Sequence, residues 1–128
     1  MKYFILFILA LQINTGYSQN EPKHFVGMAS WYGEAWNGRK TSSGEIFNSA
    51  KLTAAHKNLA FGTVVKVTNL LNELSVYVKI NDRLPQKSSR IIDLSKGAAA
   101  EIGILRSGIA KVKIELVPSF LSDLASEN

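Results

Sequence analysis

Apolar and polar residues alternate with a period of two in separate runs along the second half of the chain, the pattern of strands that bury one face. Positions 63–69 and 74–80 are two such runs, and Leu70-Leu71-Asn72-Glu73 between them reads as the turn of a hairpin. In the second run Val76, Val78 and Ile80 share one face, with Tyr77 and Lys79 on the other. Positions 109–117 repeat the pattern: Ala110, Val112, Ile114 and Leu116 point inward, Lys111, Lys113 and Glu115 outward. A shorter strand is predicted at 90–94. It runs into a helix over 95–102, with Ser95 as its N-cap and Gly103 just past its end. Positions 26–33 mix strand formers with small residues and read as the first strand, whereas 51–57 is compatible with either a short helix or an extended segment. Several short strands with one small helix amount to a mainly β barrel or sandwich.

The breaks in this pattern carry the candidate chemistry. The 74–80 strand runs into Asn81, Asp82 and Arg83, and Pro85 cannot donate to a sheet ladder, so these polar groups are expected at a strand end. The competing reading of Asp82 is a turn aspartate paired with Arg83 or Arg90. From Gly33 to Asn48 periodicity dissolves into a long loop carrying Trp36, Arg39, Thr41 and Glu45, with Trp31 and Tyr32 just before it. A loop of this length in a small domain usually has a use. Aromatic faces stack on sugar rings while polar neighbours take the hydroxyls, so the composition suits a carbohydrate; the alternative is that Trp31 and Trp36 plug the core. His56 follows two alanines, which let other groups approach it closely, although a lone histidine is usually structural.

Charge and the amino terminus narrow the class. Lys2 followed by the apolar run 4–11 and small residues at Gly16 and Ser18 reads as a secretory leader over 1–18, too short to span a bilayer, which takes about 20 apolar residues. Residues 19–25 read as a linker, 26–117 as one domain and 118–128 as a frayed tail. Export to the periplasm or cell envelope follows, with no stable membrane insertion after cleavage. The formal net charge is +5, or +4 without the leader, and the cations are scattered, which argues against nucleic acid. The chain has no cysteine, so it offers no thiol nucleophile, thiolate metal site or lipidated amino terminus. With His24 and His56 as its two histidines, no metal or cofactor is expected, and a monomer is expected.

Five segments then acquire meaning together: Gly27-Met28-Ala29-Ser30-Trp31-Tyr32-Gly33, Gly38-Arg39-Lys40-Thr41-Ser42-Ser43-Gly44-Glu45, Leu52-Thr53-Ala54-Ala55-His56-Lys57, Val78-Lys79-Ile80-Asn81-Asp82-Arg83 and Arg90-Ile91-Ile92-Asp93-Leu94-Ser95. In this order they closely resemble the rare lipoprotein A family of septal-ring peptidoglycan lytic transglycosylases. The resemblance implies a mainly β fold, a six-stranded double-psi β-barrel with one or two short helices, and a groove for peptidoglycan glycan strands. It implies Asp82, Glu45 and His56 as the catalytic set, with Trp31, Tyr32, Trp36, Thr41, Asn81 and Arg83 as substrate contacts. Leu84 stands where the family usually has glycine.

The implied reaction needs little machinery. Hydrolysis of a glycoside usually takes two carboxyl groups, whereas a lytic transglycosylase uses the C6 hydroxyl of the N-acetylmuramic acid itself as nucleophile. One carboxyl, assigned to Asp82, then serves as acid and afterwards as base. Glu45 is expected as its partner or as a charge stabiliser, His56 as the group orienting a carboxylate, and Asp93 as a strand-end or helix-entry residue. Two other readings remain open at this point: an expansin-like glycan-binding module that does not cut, and a hydrolase using Glu45 with Asp82.

Overall fold

A strand with alternate apolar residues must bury one face, and here six strands do so by closing on one another. The computed structural model describes residues 23–118. Its strands are β1 (His24–Trp31), β2 (Thr53–His56), β3 (Val64–Asn69), β4 (Ser75–Arg83), β5 (Ile92–Leu94) and β6 (Ile109–Leu116). They form a closed barrel in the order β1-β5-β2-β4-β3-β6. The β1/β5 and β2/β4 pairs are parallel and the rest antiparallel. A 3-10 turn at Glu34–Trp36 and the helix α1 (Lys96–Glu101) complete the secondary structure. The fold is therefore the expected mainly β, six-stranded barrel with two short helices.

The barrel interior is filled by the predicted inward residues. Val76, Val78 and Ile80 of β4 meet Val65 and Val67 of β3 and Val112 and Ile114 of β6, all essentially inaccessible to solvent. Each such aliphatic side chain contributes roughly 1.5–3 kcal/mol relative to exposure. Ala98, Ala99, Ile102 and Ile104 join the same cluster from α1 and the segment after it. Ser95 fixes the helix start as predicted, its Oγ accepting the Ala98 N–H at 3.2 Å, and the same hydroxyl donates to the Lys51 carbonyl at 2.6 Å. One residue thus caps α1 and ties it to the entry of β2.

Three points in the sequence reading are corrected or resolved by the structure. The first strand starts at His24, inside the expected 19–25 linker, because antiparallel pairing with β6 extends to His24 opposite Glu115. The ambiguous 51–57 segment resolves to strand at Thr53–His56, held between β4 and β5. Leu84 needs none of the backbone freedom of glycine: among the described residues Glu73 is the one non-glycine with positive φ, and Leu84 is buried with its N–H donated to the His56 carbonyl at 3.3 Å. The expected leader and most of the tail lie outside the described residues. None of the described helices is long and apolar enough to cross a membrane.

Gly97 marks the tightest helix contact. A Cβ there would sit 2.7 Å from the Ala50 carbonyl oxygen, a backbone atom that cannot swing aside, and the Gly97 N–H bonds the Ser49 carbonyl at 2.8 Å. Gly97→Ala gains up to about 1 kcal/mol of helix propensity. Against that stands an overpacking cost of about 1–3 kcal/mol. The expected outcome is a net destabilisation of about 1 kcal/mol or more, read as a lower urea midpoint at unchanged m-value; a raised midpoint would contradict the packing described.

Candidate functional site

The site is organised by register. Strand β2 lies between β5 and β4, and Ala55 is opposite Asp93 on one side and Asp82 on the other. Ser30 of β1 is opposite Asp93 in turn, so Ser30, Asp93, Ala55 and Asp82 form one row across four strands. Directly opposed residues share a face, and adjacent strands lie about 4.8 Å apart, so the two aspartate backbones are about 10 Å apart with one methyl group between them. The row faces away from the core, since Ile92, Leu94, Ala54 and Ile80 take the inward positions.

Asp82 reaches this face through a β-bulge. The β2/β4 register runs Ala54 to Ile80 and then Ala55 to Asp82, leaving Asn81 unmatched. Strict alternation would turn Asp82 to the same side as Ile80, into the apolar interior; the extra residue flips it outward. Asn81 is itself buried, and its carbonyl accepts the Ser43 N–H at 3.2 Å.

The long loop over positions 33–48 folds down onto this bulge. Thr41 N–H bonds the Glu45 carbonyl at 2.8 Å and Gly44, at φ +90°, closes the turn back to Thr41. Lys40 bridges Ile46, so the loop is a small irregular hairpin. It is pinned to β4 by the Lys79–Glu45 ion pair at 2.8 Å and by Ser42, whose N–H and Oγ both donate to Asp82 Oδ1 at 3.0 and 2.8 Å. The Arg83 N–H adds a third donor to the same oxygen at 2.9 Å. Asp82 Oδ2 takes no hydrogen bond from the described residues.

Asp93 is held differently. Its Oδ1 accepts from the Ser30 hydroxyl and from Arg90 Nε at 2.7 Å, and its Oδ2 from Arg90 Nη2 at 3.1 Å. Both oxygens are occupied, and the bidentate pair holds the Arg90 guanidinium above its ordinary pKa. The competing reading of Asp82 as a partner of Arg90 is thereby corrected: Arg90 belongs to Asp93.

A cleft of about 420 Å³ opens over this row. Asp82, Asp93 and Ala55 lie in its lining; Trp36, Arg39, Lys40, Thr41 and Ser42 come from the loop, and Arg83, Leu84 and Pro85 from the end of β4. Tyr32 and Phe47 complete it, their rings 4.8 Å apart and tilted. The Tyr32 hydroxyl is buried without a completed hydrogen bond, although Thr53 is nearby. Burial first, then the Asp82 charge, push its pKa well above the ordinary phenol range, so it stays protonated. Trp36 is half exposed and carries the Arg39 guanidinium 5.0 Å from its ring centroid. Arg83 stacks 4.0 Å from the Phe61 centroid and donates to the His56 carbonyl at 3.3 Å.

The structure thus brings together Asp82, Tyr32, Trp36, Thr41 and Arg83 of the expected set, and leaves four others out of the cleft lining. Trp31 packs against the core, so the core reading holds for it, whereas Trp36 lines the cleft. Asn81 is the buried bulge residue. Glu45 bonds Lys79 of β4 and is absent from the cleft lining. His56, expected to orient a carboxylate, instead accepts the Asn58 and Leu59 N–H groups on Nδ1 at 3.0 and 3.1 Å, which leaves its proton on Nε2 and makes it the cap of the turn after β2. Two residues were not anticipated: Ser42, for which the sequence holds no local signal, and Asp93, whose strand was legible but whose neighbour across Ala55 was not. Among the described residues no three of His, Asp and Glu converge as metal ligands.

Comparison with known proteins places these features in context. The family described as lytic transglycolase matches residues 24–114. The chain is 54% identical over 91 residues to the endolytic peptidoglycan transglycosylase RlpA of Campylobacter jejuni, covering 71% of this chain and 33% of that protein. It is 57% identical over 91 residues to a probable endolytic peptidoglycan transglycosylase RlpA of Synechocystis, covering 71% and 28%. The chain therefore spans about a third of the length of these curated relatives. Among solved structures, a Streptomyces papain inhibitor superposes with TM-score 0.62 at 19% identity, over 75% of this chain and 96% of that one. An apo expansin of Clavibacter michiganensis gives 0.63 at 20%, over 76% and 52%. These two likenesses support the fold.

The turn built on His56 makes stability pH-dependent. Burial first, then Arg83 and Lys57, lower the His56 pKa from its ordinary 6.5. An unfolded chain takes up this proton as pH falls below about 6.5 while the folded chain does not. Stability is therefore complete above that range and declines as pH drops toward the lower folded value. In His56→Asn, whose side-chain oxygen can accept the same two N–H groups, the fall in urea midpoint between about pH 7.5 and about pH 5 should be shallower than in wild type. Equal slopes in the two proteins would contradict this.

Proposed function

Because the chain belongs to the lytic transglycolase family, we propose that its cleft cleaves the bond from N-acetylmuramic acid to N-acetylglucosamine in peptidoglycan strands, leaving 1,6-anhydro ends, in cell-wall remodelling or daughter-cell separation. The observation that carries this reading is the asymmetry of Asp82, with one oxygen anchored by three donors and the other unengaged beside an open cleft. Trp36 offers a half-exposed ring face on which a sugar can stack, and Thr41 and Arg83 bring polar groups to the cleft lining.

In the first step the Asp82 carboxyl gives its proton to the glycosidic oxygen, the C1–O bond breaks, and C1 takes on oxocarbenium character. In the second, the resulting carboxylate takes the proton of the C6 hydroxyl as O6 bonds to C1. The carboxyl is restored and no water is consumed. Hydrolysis would need another carboxylate free to activate water. Asp93 has both oxygens committed to Arg90 and Ser30, and Glu45 is paired with Lys79 outside the cleft lining, which favours the transglycosylase reading. The apolar amino-terminal run supports export, with the cell envelope as site of action.

Digestion of purified sacculi in 18O-labelled water, followed by mass spectrometry of the soluble fragments, tests the proposal. Anhydro-muropeptides without label are expected. Labelled reducing ends would replace the reading with hydrolysis, and sacculus binding without released fragments would replace it with a non-cutting, expansin-like role.

A further inference from the structure

One carboxylate in the cleft has no part in the two-step reaction above. Asp93 lines the cavity on β5, on the opposite side of Ala55 from Asp82. Its backbone is two strand spacings away, about 10 Å, from that of Asp82. The intervening side chain is a methyl group, so the two acids face a common space, and the Tyr32 hydroxyl at its floor feels the charge of both.

Their surroundings differ in the way that separates roles in a two-acid site. Asp82 keeps one oxygen free for proton exchange. Asp93 has none: Arg90 binds it through Nε and Nη2 in a fork, and the Ser30 hydroxyl takes the remaining approach to Oδ1. With both oxygens held by donors, this carboxylate has no unengaged oxygen like that of Asp82, but it presents a fixed negative charge to whatever enters the cleft. An ion pair serving only to anchor the 90–94 segment would have no need to face an open cavity across the smallest side chain in the row.

We propose that Asp93 is the second acid of this site: a fixed anion that stabilises the positive charge developing at C1 while Asp82 handles the protons, with Arg90 and Ser30 as positioning residues that hold it in place. The inference rests on the transglycosylase reading and reassigns to Asp93 the charge-stabilising part expected of Glu45. It also gives Ala55 a purpose, since any larger side chain there would stand between the two acids.

The test uses sacculi as substrate and reads both the single-turnover rate of anhydro-muropeptide release and sacculus affinity. Asp93→Asn keeps the shape and an acceptor for Ser30 but loses the charge; the release rate should fall about 10- to 100-fold with affinity within about threefold of wild type. Arg90→Gln should also slow release, and Arg90→Lys should recover part of the loss. Release by Asp93→Asn at the wild-type rate would overturn the inference. So would a loss in Asp93→Asn that is matched by Arg90→Gln in both rate and thermal midpoint, the signature of a mere anchor. Failure of the underlying reading looks different: wild-type protein would itself release no anhydro ends.

Discussion

Inserting Asn81 between Ile80 and Asp82 breaks the alternation of β4, and the cleft depends on that one-residue slip. Without it the Asp82 side chain would share the inward face of Ile80, where an ionised carboxylate is untenable among aliphatic residues. With it, Asp82 lies beside Ala55 on the outer face, at the end of a strand whose inward residues anchor the barrel. The same backbone offers its Asn81 carbonyl to Ser43, which seats the loop over the bulge. Barrel, bulge and loop are thus one construction, and the acid at its centre is placed by backbone register before any side chain is chosen.

The two aspartates are held by different partners. Ser42 and Arg83 occupy one oxygen of Asp82, while Arg90 and Ser30 occupy both oxygens of Asp93. Identical side chains are given different freedom by what surrounds them. Glu45 and His56 support this arrangement at a distance: Glu45 ties the loop to Lys79, and His56 caps the turn after β2 while its carbonyl receives Arg83 and Leu84.

What could be read from the sequence followed from local physics. The 63–80 hairpin, the alternation of β6 and the Ser95 cap rest on period-two patterning and capping chemistry, and each stands in the structure. The start of β1 was misplaced because pairing with β6, a tertiary effect, carries His24 and Phe25 into the sheet. Thr53-Ala54-Ala55-His56 was ambiguous because its residues permit both helix and strand until β4 and β5 flank it. Trp31 and Trp36 could not be told apart by composition; one packs on the core and the other lines the cleft. Asp93 was visible as a strand residue, but its meeting with Asp82 depends on a register shift in a parallel pair, which no local pattern announces.

In this mechanism the free oxygen of Asp82 carries both proton transfers. Measuring anhydro-muropeptide release by Asp82→Asn, which preserves the shape and the Oδ1 acceptor, beside its thermal midpoint tests this most directly. Release should fall by at least about 100-fold with the midpoint close to that of wild type. Release within about twofold of wild type by a folded Asp82→Asn protein would contradict the account.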